Sequence, residues 1–339
     1  MLPALQMAAP LVALRPGGSR VVAEVRVLAA FRRSVYLALD ATTPDDPCRP
    51  PGWLPVPQNG PFVRAGRLPV RTAGLPIPLV ALTSAGLEPG PFSITVAGFE
   101  ELRAAVEAGA RTARLHPGVL TAGDVAVDLR AAAVWDPTLS RPWGAGDAPW
   151  SLAARAAVER VLAEAAPRES LAGLLFRDAG GYARTLEPFA RALDALDTLL
   201  QQPDAPAATL AAATDVAGRG PGLTPSGDDL LCGVLLATWA WPGLVAAGRA
   251  ETLRAHLAGA AVPQTTRVGA AYLIAARRGW ALRPWHRLVG ALDDAAQARR
   301  AALDVLAIGE TSGADALTGF CWAWRRVPAP PAGAAGRAT

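Results

Sequence analysis

The residues able to do chemistry in this 339-residue chain concentrate in one segment, Gly218-Arg219-Gly220-Pro221-Gly222-Leu223-Thr224-Pro225-Ser226-Gly227-Asp228-Asp229. Glycine and proline at that density specify a fixed loop whose backbone can approach a ligand closely, and the apolar run after it reads as a buried helix. A helix start bearing Gly222, Thr224, Ser226, Gly227, Asp228 and Asp229 would suit an oxyanion or a hydrated cation. The plainer reading is that Ser226 and Asp229, at S-x-x-D spacing, form a capping box that only starts the helix.

A second copy of the pattern strengthens the chemical reading. Ser312-Gly313-Ala314-Asp315-Ala316-Leu317-Thr318-Gly319 matches Ser226-Gly227-Asp228-Asp229-Leu230-Leu231-Cys232-Gly233 as S-G-x-D-x-L-x-G. Both copies precede uncharged helices, so two polar N-termini are expected to converge on one site. Their dipoles would attract a small anion, while Asp228, Asp229 and Asp315 could hold a divalent cation such as Mg2+ beside it. A duplicated helix hairpin with two capping boxes is the alternative. A third helix start, Gln264-Thr265-Thr266-Arg267, offers two hydroxyls and a guanidinium able to grip a carboxylate or phosphate. Its plainer reading is a threonine cap followed by a surface arginine.

Composition removes several competing chemistries. All 33 basic residues are arginine, so Schiff-base, P-loop and general-base lysines are impossible. The formal charge is +4, but no dense arginine run or arginine/aromatic stripe marks a nucleic-acid surface. Cys48, Cys232 and Cys321 are far apart and odd in number, against a disulfide framework or structural zinc. His116, His256 and His286 fit no triad or ligand spacing. Residues 1–14 lack the basic start of a secretory signal, and a cytoplasmic location is expected. The uncharged run 230–248 approaches the length of a membrane span, but Pro242-Gly243 breaks it, leaving a helix of about a dozen residues and no membrane association.

The elements that must position these residues divide the chain in two. Runs 21–27 and 34–39 alternate or are β-branched, and ten prolines between Pro44 and Pro78 forbid long helices. Residues 100–110 are the one helical pattern in this half. After Gly146, Asp147 and Pro149 read as helix-start residues, and helical periodicity then dominates: 151–165, 186–201, 207–217, 228–241, 244–259, 266–278, 288–307 and 313–326. The expected class is α+β: a β-rich domain over 1–146 with proline-rich loops, an all-helical domain over 147–326, and a disordered tail over 327–339.

The loop ending in GLTPSGDD, the TT-containing helix start and the SGAD segment together resemble a bacterial family formerly of unknown function. Its best-assigned member is the AllH-type subunit of oxamate carbamoyltransferase, in anaerobic allantoin degradation and so purine catabolism. The resemblance extends to the region 25–39 and to Val134-Trp135-Asp136-Pro137, with the three C-terminal motifs the specific part. It implies a transferase that phosphorolyses oxalurate to oxamate and carbamoyl phosphate, working with other carbamoyltransferase subunits. By this resemblance Asp228, Asp229 and Asp315 are catalytic candidates, and Thr224, Ser226, Gly227, Thr265, Thr266, Ser312 and Gly313 join them in the site. Glu310 departs from the histidine expected before SGAD. Two other classes compete: a magnesium-dependent helical hydrolase resembling ADP-ribosylglycohydrolases, although its Thr-Asp-Asp-Thr motif is missing, and a non-catalytic anion-binding subunit.

Overall fold

The computed structural model describes residues 1–14, 23–38, 79–140, 149–176, 185–246 and 248–328. They form two compact units that change over between Pro137 and Thr138. The boundary expected at Gly146, the proline-rich stretch 44–78 and the tail from 329 lie outside the described residues.

The first unit is a closed β-barrel. Its strands are β1 (Leu2–Ala8), β2 (Ala23–Ala30), β3 (Ser34–Ala38), β4 (Leu79–Ser84), β5 (Ser93–Val96), β6 (Thr112–His116), β7 (Val119–Ala122), β8 (Val125–Asp128) and β9 (Ala133–Trp135), with helix α1 (Phe99–Glu107) between β5 and β6. The sheet order is β5-β4-β3-β2-β6-β7-β8-β1-β9, and β1 closes the ring. It pairs antiparallel with β5 (Ala4↔Val96) and parallel with β8 (Leu2↔Val127) and β9 (Gln6↔Ala133), bending at an irregularity between Ala4 and Gln6. Met7, Leu37, Leu82, Ile94, Leu115 and Leu120 fill the interior. The apolar start of the chain, not anticipated as a strand, is thus the one that completes the barrel.

The second unit is helical: α2 (Leu152–Ala165), α3 (Glu187–Gln201), α4 (Ala207–Thr214), α5 (Ser226–Ala240), α6 (Ala250–Ala261), α7 (Arg267–Arg277), α8 (Arg283–Val289), α9 (Ala295–Leu306) and α10 (Ser312–Trp324). Helix α2 is capped by Ser151, whose hydroxyl accepts from the Ala154 amide at 3.0 Å; the expected cap Asp147 lies outside the described residues. The single helix expected over 288–307 is two, because Asp294 caps a new start by accepting from the Ala296 and Gln297 amides. The helix expected from 244 begins at Ala250, after a short 3-10 turn at Pro242–Leu244 and Gly248 at φ 74°.

Helices α5 and α10 form the centre of this unit. Beyond their first turns neither carries charge, and Leu230, Leu235, Leu317 and Phe320 are fully buried. The rings of Trp241 and Trp324 approach to 5.2 Å at the far end. Among the described residues no helix is long and apolar enough to cross a membrane.

Candidate functional site

The site is built at the N-terminal ends of α5, α7 and α10. The loop before α5 is shaped by glycines that no side chain could replace. Gly218 (φ 74°) lies against the Gln264 carbonyl, where a Cβ would fall 2.4 Å from its oxygen. At Gly220 (φ 115°) a Cβ would fall 2.6 Å from the Ser226 nitrogen. The loop therefore folds back on the helix it precedes and on the Gln264-Thr265 segment. Gly222 (φ 93°) is exposed.

The capping-box reading of Ser226 and Asp229 is overturned. Pro225 occupies the cap position, Ser226 is already helical, and no side chain caps the helix. Instead the Asp228 and Asp229 amides donate to the Pro225 carbonyl (2.9 and 3.2 Å) and the Gly227 amide donates to Arg219 (3.0 Å). The α10 start also lacks a side-chain cap: the Gly313 amide donates to Ile308 and the Asp315 amide to Thr311, both at 2.9 Å. Three of the four first-turn amides of α5 and two of the four of α10 thus already have partners. Gly227 and Gly313 serve packing, since a Cβ on either would fall 1.8 and 2.0 Å from the carbonyl oxygens of Val216 and Val305.

Three carboxyls lie beneath this surface. Asp228 is fully buried, with Oδ1 accepting from the Gly218 amide at 2.9 Å and Oδ2 from the Thr265 hydroxyl. Burial pushes its carboxyl up to about 6, against the pull of Thr265 and Gly218. Asp229 is pushed well above the usual carboxylate range by burial, and Asp315 and Asp228 add to the effect while Ser312 and Thr224 oppose it. Asp315 is raised by burial too, opposed by the Leu171 amide, which donates to Oδ1 at 2.6 Å, and by Ser226 and Thr311. On both Asp229 and Asp315, Oδ2 is buried without a hydrogen-bond partner; the neighbouring hydroxyls temper the charge without making a directed bond to that atom.

The loop before the first motif copy meets the start of the second directly. The hydroxyls of Thr224 and Ser312 are 2.9 Å apart, and both residues are half-buried, in front of Asp229. Thr266 is the cap of α7: its hydroxyl accepts from the Gly269 amide at 3.0 Å and donates to the Leu223 carbonyl, tying the α7 start to the GLTP loop. This is the plainer reading of that residue, with an added tether. Arg267 is half-buried as the first residue of α7, and Glu310 is exposed.

The expectation of a shared cation is not carried by this geometry. Among the described residues no group of three or more His, Cys, Asp or Glu side chains is placed to hold a metal ion. Both oxygens of Asp228 already accept from protein donors, and so does Oδ1 of Asp315, so the three carboxyls do not form a cation cage. Burial disfavours the charged form of all three carboxyls and holds Asp229 well above the usual range.

Sequence reasoning missed Gly269 and the Leu171 amide. A Cβ on Gly269 would fall 2.1 Å from Asp228 Oδ2 and 2.7 Å from Thr265 Oγ1. A glycine in the first turn of a helix is the signal that could have found it. No sequence signal points to Leu171, which reaches Asp315 across 144 positions.

Residues 216–324 match the family model described as oxamate carbamoyltransferase subunit AllH, so over this stretch the chain is similar to that family. The match runs from just before the glycine loop to the last residue of α10, and it covers less than half of the chain. No solved structure matches the chain.

Proposed function

We propose that the chain is a subunit of an oxamate carbamoyltransferase-like enzyme that converts oxalurate and phosphate into oxamate and carbamoyl phosphate. The observation that carries this reading is the AllH match over the segment that holds both helix starts and every candidate site residue. The subunit description supports assembly with other chains, and catalysis is a property of that assembly.

In this reaction a phosphate oxygen attacks the ureido carbonyl carbon, the bond from that carbon to the oxamyl nitrogen breaks, and the proton of hydrogen phosphate ends on the departing nitrogen. The transition state needs donors for a developing oxyanion and a group that moves one proton. Thr224 and Ser312 supply hydroxyls. Asp228, titrating near 6, is matched to proton transfer near neutral pH. No covalent nucleophile is required. Nothing in the described geometry favours the ADP-ribosylglycohydrolase-like alternative, which needs clustered aspartates around paired cations.

The test is carbamoyl phosphate formation from oxalurate by the assembled subunits. Asp228→Asn is expected to fold, because the amide keeps an acceptor for the Gly218 amide and a donor for the Thr265 oxygen. Its turnover should fall by a hundredfold or more, on the order of 3 kcal/mol in barrier. Normal turnover in the folded variant would overturn the assignment, and ligand binding without turnover by the complete wild-type assembly would make the chain a binding subunit.

A further inference from the structure

The two helix starts are related by an exchange that extends beyond their sequences. A Cβ on Gly233 would fall 1.8 Å from the Ala316 carbonyl oxygen, and one on Gly319 would fall 2.1 Å from that of Leu230. In the register of the repeat Gly233 corresponds to Gly319 and Leu230 to Ala316, so each helix meets the other through the same two positions. The polar ends follow the same rule. The Ser312 hydroxyl acts on Asp229, and the Ser226 hydroxyl acts on Asp315. Each aspartate is at least nine-tenths buried and keeps an Oδ2 without a partner.

We infer that Asp229 and Asp315 are positioning residues, each orienting the serine hydroxyl of the opposite helix start, so that Ser312, with Thr224 at its side, presents its hydroxyl to the carbamoyl-bearing end of the substrate. The inference rests on the proposed function and deepens it. Among the described residues no cation is among the groups acting on either carboxyl. An ionised Asp229 would be an uncompensated buried charge facing Asp228, Asp315 and Cys232, so a carboxylic acid is the state this environment holds. A carboxylic acid behind a hydroxyl offers a donor and an acceptor side by side, which complements the C=O and NH2 of a carbamoyl group. Phosphate is served less well here, because the Gly227, Asp228 and Gly313 amides that would grip it already donate to carbonyls.

Two measurements decide the matter. In the assembled complex, Asp229→Asn, which keeps a donor and an acceptor, should retain kcat/KM for oxalurate within about tenfold, whereas Asp229→Leu and Ser312→Ala should lose about a hundredfold, mainly in kcat and not in the KM for phosphate. Equal losses for Asn and Leu would overturn the inference, since an ionised carboxylate would then be required. Infrared spectra of the full chain at neutral pH should show the carbonyl band of un-ionised carboxylic acid, weakened in Asp229→Asn. Absence of that band in the wild-type chain overturns the inference whether or not the complex turns over oxalurate. A band that behaves as expected beside a fully assembled complex inert toward oxalurate overturns the proposed function and the carbamoyl assignment, and leaves the aspartate pair standing.

Discussion

Gly269 shows how a residue without a side chain can set the chemistry of one that has one. The Asp228 carboxyl fills the space where a Cβ would stand, so Gly269→Ala must displace Asp228, Thr265 or the start of α7. We expect a loss of about 1–3 kcal/mol in unfolding free energy, read from urea midpoints, together with reduced activity. Gly259 in α6 has nothing within 4 Å of the same position, and Gly259→Ala should be neutral or stabilise by up to about 1 kcal/mol. The aspartates, hydroxyls and loop glycines of the site were legible because their types and spacing are rare in a helix start. Their roles were less so. Ser226 looked like a cap because S-x-x-D describes capping boxes, and only the helix beginning one residue earlier, behind Pro225, shows that it is not.

Among the elements, α5 and α10 depend on two small residues placed reciprocally. Gly233→Ala and Gly319→Ala each drive a methyl into a carbonyl of the other helix, and each should destabilise by about 1–3 kcal/mol. The double variant should lose less than the sum, because the helix separation forced by the first methyl makes room for the second; a thermal or chemical unfolding cycle measures the coupling. Helix existence was readable from periodicity in α2, α3, α5, α7 and α10. The break between α8 and α9 was not, because Asp294 lies in a run of alanines and charges whose helical pattern continues through it. Strand β1 went unread for a different reason: its partners lie between residues 94 and 135, so its assignment depends on long-range pairing that local pattern does not encode.

For the whole molecule, the buried carboxyls set an unusual response to pH. An aspartate raised to about 6 binds its proton more tightly folded than unfolded, so the stability it contributes falls as pH rises from about 4 to about 6 and is level above that. Asp228 alone accounts for about 3 kcal/mol of that fall; Asp315 acts in the same direction, and Asp229, held well above the usual range, carries the fall on to higher pH. Asp128, held near 2 by Arg130, acts oppositely and only below about pH 4. Urea midpoints across this range should therefore decline toward neutrality in the wild type and decline less in Asp228→Asn; an unchanged slope in the variant would show that Asp228 is not the titrating group. The division into a β-rich and a helical half was legible from the change in proline content and periodicity, while closure of the sheet into a barrel was not.

The aromatic packing at the far end of α5 and α10 carries a practical consequence. Eight of the ten tryptophans lie at or beyond position 143, and the rings of Trp150, Trp241, Trp285 and Trp324 stack with one another or with Phe320 at 5.2–6.1 Å. Fluorescence and near-ultraviolet dichroism will therefore record the helical unit almost alone. A melt followed by emission reads the α5/α10 core, and the barrel, with Trp135 as its one described tryptophan, can open with little optical trace.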